Sequence, residues 1–396
     1  MKKNTLNLNI KPLLYIIIVY PFYKPYYFSE IGIMPIVNQI LFAVALVIIA
    51  LFYFVKLPRI YINSGVCFII FYYLFILVST FLNNSFNSNY FSLVSFSIGF
   101  GLLVNHCLKN KNEFLYFLSA IYFLLYVYLL ANLLAMILYP NGIPSITYYI
   151  DLPQYVFGNT NSVIKVVLPG LCFAFLYDSL KYKRIRSKSW ILLLLVWITL
   201  LNTASITSVM GCFVFTIFVI FKRMGNMKSL VNYFTMFIIS FVLFMMVVVL
   251  KYENNFLGNI LSIFGKTLTF SNRDVLWINA INSIKSSPIW GYGIQNPEII
   301  WEHIGNKHGS HNYYLDTLYR GGLVALLFLI SGVIYFGKKI VKYKNNIVIR
   351  TIIGTCCAYF VMWIFEPFIS TEYLMFSIFF VLTSRIDVIV SYFYDA

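Results

Sequence analysis

Charge is what this sequence has least of. Only 11% of its 396 residues are Asp, Glu, Lys or Arg, and just 13 are acidic. A soluble domain carries about a quarter charged residues, so a chain this poor in them cannot cover a surface that faces water. Cysteine is sparse as well: Cys67, Cys107, Cys172, Cys212, Cys356 and Cys357, with no CxxC pair. All six lie in apolar segments or at their edges, so they read as small packing residues and not as a disulfide framework or a thiolate metal site. A cleavable signal peptide is also missing, because the first apolar stretch has no small-residue cleavage site and runs into Pro21. There is no internal repeat and no low-complexity linker.

What the chain has in excess is apolar and aromatic side chains, 61% hydrophobic and 19% Phe, Trp or Tyr. Both point to lipid as the surrounding solvent, with aromatic residues concentrated at the membrane interfaces. A spanning helix needs about 20 mostly apolar residues. Such runs occur at 12–30, 33–55, 60–82, 90–108, 114–139, 161–180, 189–203, 206–222, 230–250, 320–337, 347–366 and 371–386. The seventh and twelfth are short, and Pro21 and Pro25 interrupt the first.

The net charge of +16 would suggest nucleic acid in a soluble protein. Its placement argues otherwise. Lys2, Lys3 and Lys11; Lys56 and Arg59; Lys109 and Lys111; Lys181, Lys183, Arg184, Arg186 and Lys188; Lys222, Arg223 and Lys228; and Lys338, Lys339, Lys342 and Lys344 fall on every second connection. The intervening short connections are nearly free of Lys and Arg; residues 83–89 have none. This is the pattern of positive-inside topology, with both termini in the cytoplasm and no nucleic-acid partner. The expected fold is therefore an all-α polytopic membrane protein of about 12 transmembrane helices, a single membrane domain over 1–396. Two outer connections exceed hairpin length, 140–159 and 251–319, and connections of that size are usually functional. Within the second, Val275, Leu276, Ile278, Ile281 and Ile284 recur at helical spacing and predict a short amphipathic helix.

Chemistry concentrates in that large extracytoplasmic loop. His303, His308 and His311 are three of the four histidines, the fourth being His106 at a cytoplasmic helix end. Their spacing is not HExxH and the backbone around Gly305, Gly309 and Ser310 reads as irregular, so a metal site is not expected and a general base is the more economical role for a group that titrates near neutral pH. Arg273, Lys285, Lys307 and Arg320 stand on the outer side against the topological trend. Each alone could be balanced by Asp274, Glu298, Glu302 or Asp316; together they suit an anion, and arginine suits pyrophosphate because its planar fork donates two hydrogen bonds at once. Lys165 lies in the first turns of the sixth span, after Gly158-Asn159-Thr160-Asn161-Ser162, where it either snorkels to the interface or faces a polar cavity. Glu366 and Glu372 flank the last outer turn and are candidate partners for it.

The order of these motifs resembles the O-antigen ligase and polymerase superfamily. The stretches are Arg273-Asp274-Val275-Leu276-Trp277, Ser287-Pro288-Ile289-Trp290-Gly291-Tyr292-Gly293, His311-Asn312-Tyr313-Tyr314-Leu315 and Gly321-Gly322-Leu323, with Gly158-Asn159-Thr160-Asn161 resembling the family's entry to an earlier span. One departure is Thr203-Ala204-Ser205-Ile206-Thr207, where Ile206 stands in place of an expected arginine that Lys165 or Arg320 would have to replace. The resemblance implies cofactor- and metal-independent glycosyl transfer outside the cytoplasmic membrane, an undecaprenyl-pyrophosphate-linked glycan being attacked by a sugar hydroxyl. It implies His311 and Arg273 as catalytic residues, and Lys165, Arg320, Asn312, Asn161 and Trp277 as substrate-binding. It also implies the lipid bilayer, lipid-linked glycans and a chain-length regulator as partners. Polymerisation of repeat units into O-antigen, capsular or exopolysaccharide is the preferred activity. Ligation of finished glycan to another acceptor is the alternative within the family. A flippase is the alternative outside it, though a transporter should show the internal repeats that this chain lacks.

Overall fold

A computed structural model describes residues 10–55, 61–147, 153–203, 205–220, 232–250, 273–343 and 346–394. Among them there is no strand, only an isolated bridge between Tyr155 and Gly158. The helices in chain order are α1 Lys11–Val19, α2 Tyr27–Glu30, α3 Met34–Phe54, α4 Ser64–Leu82, α5 Ser88–Cys107, α6 Lys111–Leu138, α7 Ser162–Tyr182, α8 Ser187–Thr203, α9 Ile206–Ile220, α10 Tyr233–Phe244, α11 Arg273–Ser286, α12 Pro297–Ile304, α13 Tyr313–Val341, α14 Ile347–Met362, α15 Glu372–Phe376 and α16 Ile386–Tyr394. Lys2, Lys3, Lys56, Arg59, Lys222, Arg223, Lys228 and Lys344 of the topological pattern lie outside the described residues, as do Ala204 and residues 251–272 of the large loop.

Each of the twelve expected runs contains helix among its described residues, but they are not twelve spans. Among the described residues six helices are long and apolar enough to cross a membrane: α3, α4, α5, α6, α7 and α13. A seventh is possible if Ile369–Leu382 and Ile386–Tyr394, bent by 73°, form one broken span. The others fall short for local reasons. The first run breaks where its prolines stand, α1 passing through a 3₁₀ turn at Tyr20–Phe22 before α2. The 17 residues of α8 rise only about 25 Å at 1.5 Å per residue, against a hydrocarbon core of about 30 Å. The residues that follow α9 at 221–231 are outside the described ones.

Asparagine starts many of these helices. Asn63, Asn110, Asn232, Asn312 and Asn346 each sit at an N-cap and accept a hydrogen bond from an amide of the first turn. A short side-chain carbonyl there satisfies donors that the helix itself cannot. The lipid-facing side is visible on α3. Ile36, Ile40, Val44, Val47 and Leu51 form an exposed apolar stripe at spacings of three and four, while Asn38, Ala45, Ile49 and Tyr53 are buried. A multi-pass membrane protein shows this arrangement, because lipid replaces water as the solvent of the stripe.

The chain divides into two compact units. The first comprises residues 1–61, 106–199 and 392–396; α1, α3, α6 and α7 pack in it. Tyr15 donates to Glu113, which also pairs with Lys11, and the Tyr23 hydroxyl reaches the Val166 carbonyl. The second comprises 62–105 and 200–391 and holds α4, α9, α10 and α11 to α15. All six cysteines are free thiols, five of them buried.

Candidate functional site

The second unit contains the motifs of the large loop, and its centre is a broken helix. α13 starts at Tyr313, seven residues before the expected span, so the loop ends at Asn312 and not at Tyr319. It is interrupted at Gly322, whose φ of 61° and ψ of −162° are not helical. In an unbroken helix the amides of Leu323 and Val324 would bond the carbonyls of Tyr319 and Arg320. Here those two bonds are exchanged with the preceding loop. Leu323 and Val324 donate to the carbonyls of Pro288 and Ile289 (2.8 and 3.3 Å), and the amides of Tyr292 and Gly293 donate to Tyr319 and Arg320 (2.7 and 2.8 Å). A break inside a membrane protein is tolerated when neighbouring backbone re-satisfies the freed groups, and this exchange does so.

The glycines of the two motifs are what let the segments meet. A Cβ on Gly322 would stand 2.1 Å from the Ile289 carbonyl oxygen, and one on Gly291 2.6 Å from that of Tyr319. Gly293 has a φ of 76° and lies against the backbone of Thr80. The turn after α4 completes the clamp: the side chains of Asn83, Ser85 and Asn87 bond the carbonyls of Gly291, Tyr292 and Ile294. The Ser-Pro-x-x-Gly-x-Gly and Gly-Gly signatures are thus two halves of one interlock. A helix is present where it was expected, as α11, but it buries Trp277 and Ala280 and none of Val275, Leu276, Ile278, Ile281 and Ile284, the expected apolar face, and Val275 is exposed.

His311 and Asn312 stand at the start of α13. His311 is half-buried with a φ of 57°, a left-handed conformation that a non-glycine residue adopts at a cost. It is held there from both sides. Asp316 Oδ1 accepts from the amide and hydroxyl of Ser310 (2.8 and 2.7 Å), and Gly309 packs on the same carboxylate. Asn312 is fully buried, caps α13 through the Leu315 amide and donates to the Ile364 carbonyl at 2.9 Å. Asn306 lies 3.4 Å from His311 Nε2.

Residues 363–366, the exit of α14, gather the site. The Trp363 carbonyl accepts from the Tyr313 amide (2.8 Å), Ile364 from the Asn312 side chain, and Phe365 from the Arg273 guanidinium. Arg273 also pairs with Glu366 at 3.0 Å. Consecutive carbonyls therefore hold the start of the histidine helix and the arginine that opens α11. The other two histidines are placed differently. His303 Nδ1 meets the Tyr319 hydroxyl at 2.7 Å beside the Tyr292 ring, and His308 is exposed. Among the described residues, no three of His, Cys, Asp or Glu converge as a metal site would require.

Arg320 is not a loop cation. It is buried and pairs with Glu372 at 2.9 Å, and Tyr73 and Tyr313 donate to the same carboxylate at 2.6 and 2.5 Å. Lys307 forms an exposed pair with Glu298 at 3.4 Å; a hydrogen bond from Glu298's own backbone amide, then that lysine, holds the glutamate carboxyl below its usual range. Glu366 and Glu372, expected as partners for Lys165, thus each hold an arginine. Lys165 itself is half-buried in the first turn of α7, in the other unit. There Asn159, and not Asn161, caps the helix, accepting from the Ser162 amide and hydroxyl. Glu366, Glu372 and Asp316 entered the sequence reading only as balancing charges, and their places around Arg273, Arg320 and the His311 turn were not anticipated. Acidic residues this rare in such an apolar chain were the available signal.

The fold and the site define a multi-pass membrane protein with a polar centre built on one broken helix and its preceding loop. A family model described as O-antigen ligase matches residues 189–330, about a third of the chain, from α8 into α13. The match takes in Arg273, the interlocking glycines and His311-Asn312. The exopolysaccharide production protein ExoQ of Rhizobium meliloti is 28% identical over 130 residues, covering 29% of this chain and 30% of that protein. The chain thus matches less than a third of that relative's length. Over this segment the chain is similar to the O-antigen ligase family and to an exopolysaccharide production protein.

Proposed function

We propose that this protein polymerises undecaprenyl-pyrophosphate-linked oligosaccharide repeat units on the outer side of the cytoplasmic membrane. The observation that carries the reading is the convergence of Arg273 and the His311-Asn312 turn on residues 363–366. A glycosyl transfer from a lipid pyrophosphate needs a cation for the leaving group and a base for the attacking hydroxyl. Arg273 supplies the first through its two-pronged fork. His311 supplies the second, taking the proton as the acceptor oxygen bonds the anomeric carbon and the carbon–oxygen bond to pyrophosphate breaks. Asn312, Arg320 and Trp277 are buried and act by positioning: Asn312 fixes the histidine turn, Arg320 the broken helix and Trp277 the seat of α11. Lys165 and Asn161 are further candidate contacts for substrate.

In this reading the chain is one membrane domain, both termini are cytoplasmic, and a chain-length regulator is a candidate partner. Labelling of Lys307→Cys from outside intact cells tests the topology; that side chain is 55% exposed, and labelling only after the membrane is breached would contradict it. The name of the Rhizobium relative, exopolysaccharide production, favours a polymerase, while the family description favours a ligase. Purified protein supplied with lipid-linked repeat units alone separates them. A ladder of longer lipid-linked glycans means a polymerase; a ligase elongates nothing until a second acceptor is added, and a flippase makes no new bond.

A further inference from the structure

Two arginine–glutamate pairs lie at either end of residues 366–372, and they differ in kind. Glu372 is locked: both arms of Arg320 and the hydroxyls of Tyr73 and Tyr313 converge on a fully buried carboxylate. Glu366 is buried as well, but it lies on the non-helical backbone between α14 and the 3₁₀ turn at Ile369–Thr371, and its Arg273 partner retains 17% of its side-chain exposure. Glu366 takes Arg273 through one nitrogen, Nη2, and a guanidinium N–H that donates to a carboxylate oxygen donates equally well to a phosphate oxygen. The Glu366 carboxylate therefore occupies a donor that a phosphate would use. The Phe365 carbonyl holds another nitrogen of Arg273, so the guanidinium stays anchored if Glu366 leaves.

We propose that Glu366 is the resident counter-ion of Arg273 and that a pyrophosphate group binds by displacing it. The inference rests on the reading of Arg273 as the pyrophosphate ligand. No covalent bond changes: a carboxylate oxygen leaves Nη2 of Arg273 and a phosphate oxygen takes its place. The consequence is specificity. A tethered carboxylate competes at high effective concentration. Weakly charged anions lose to it, and a multiply charged pyrophosphate wins. Glu366 is thus a specificity-determining residue that keeps Arg273 neutralised between turnovers and screens what may replace it.

The test compares purified wild-type, Glu366→Gln and Arg273→Ala proteins for binding of undecaprenyl pyrophosphate in detergent micelles and of free inorganic pyrophosphate. Glutamine keeps a hydrogen-bond acceptor for the arginine but removes the competing charge. Glu366→Gln should bind both probes roughly tenfold more tightly, on the scale of one lost ion-pair competitor. Binding equal to or weaker than wild type overturns the proposal, and tightening confined to the lipid probe contradicts an exchange at the pyrophosphate group. Arg273→Ala should lose binding of both; if it binds like wild type, the reading of Arg273 fails whatever Glu366→Gln does. Should Glu366→Gln not survive extraction, pyrophosphate in the extraction buffer should restore it by supplying the missing counter-charge, and no rescue counts against the proposal.

Discussion

The two arginine–glutamate pairs differ in how far their arginines reach solvent, and on our proposal this separates what holds the protein together from what it works with. Arg320–Glu372 has no exposure worth using and binds two tyrosine hydroxyls besides. Arg273–Glu366 opens on its arginine side, and the segment that holds it, 363–366, also holds Asn312, next to a histidine in a left-handed turn. The same two residue types, brought together by neighbouring segments of chain, form a structural lock in one case and an accessible cation in the other. Both carboxylates are buried, so the exposure of the arginine makes the difference, 17% at Arg273 against 6% at Arg320.

Breaking the lock should have the largest effect on the protein itself. Glu372→Ala leaves the Arg320 charge and the tyrosine hydroxyls without their acceptor, and removing one member of a buried pair costs about 3–5 kcal/mol. Thermal unfolding in detergent should show that loss, or the variant should fail to accumulate. Replacing both partners, Arg320→Met with Glu372→Leu, should recover much of it. If Glu372→Ala unfolds like wild type, the distinction between the two pairs disappears.

The opposite profile is expected on the other side of the comparison. His311→Asn should leave stability near wild type, because asparagine tolerates the left-handed region better than most residues. It should lower turnover about 10²–10⁴-fold, the usual contribution of a general base. His303→Asn and His308→Asn should be mild. Next in size, Arg273→Lys keeps the charge and loses the fork, so glycan synthesis should fall clearly while expression holds. Smallest and most local is a pair of glycines. Gly322→Ala meets the Ile289 carbonyl and should disrupt the interlock, while Gly305→Ala, with nothing nearer than 3.6 Å, should cost only about 1 kcal/mol for its positive φ. Equal stability of the two variants would mean that the broken helix is not held as described.

The apolar runs were legible because helical backbone in lipid demands them, and each contains helix among its described residues, though six helices there are long and apolar enough to span. Their extents were not. The start of α13 lay hidden in Tyr313-Tyr314-Leu315-Asp316-Thr317, too polar to read as a span yet held by the Asn312 cap and buried among its neighbours. The break at Gly322 could not be inferred from period alone, since the bonds that replace the helical ones come from residues 288–293. At the site, motif order brought out Arg273, His311 and Asn312. It did not show Arg320 as an internal pair, because the loop carboxylates nearby in sequence looked like adequate partners, whereas the true one, Glu372, is 52 residues away. Glu366 and Glu372 were noticed but matched to Lys165, a pairing that spacing alone could not decide.

The central claim is that the histidine turn and the arginine of α11 form one glycosyl-transfer site. The most direct measurement is the product ladder that purified wild-type and His311→Asn proteins make from a lipid-linked repeat unit, with both preparations matched for unfolding temperature. Wild type should yield a ladder of longer glycans, and His311→Asn little beyond the starting unit while still binding it. A ladder of normal length and rate from His311→Asn would contradict the account.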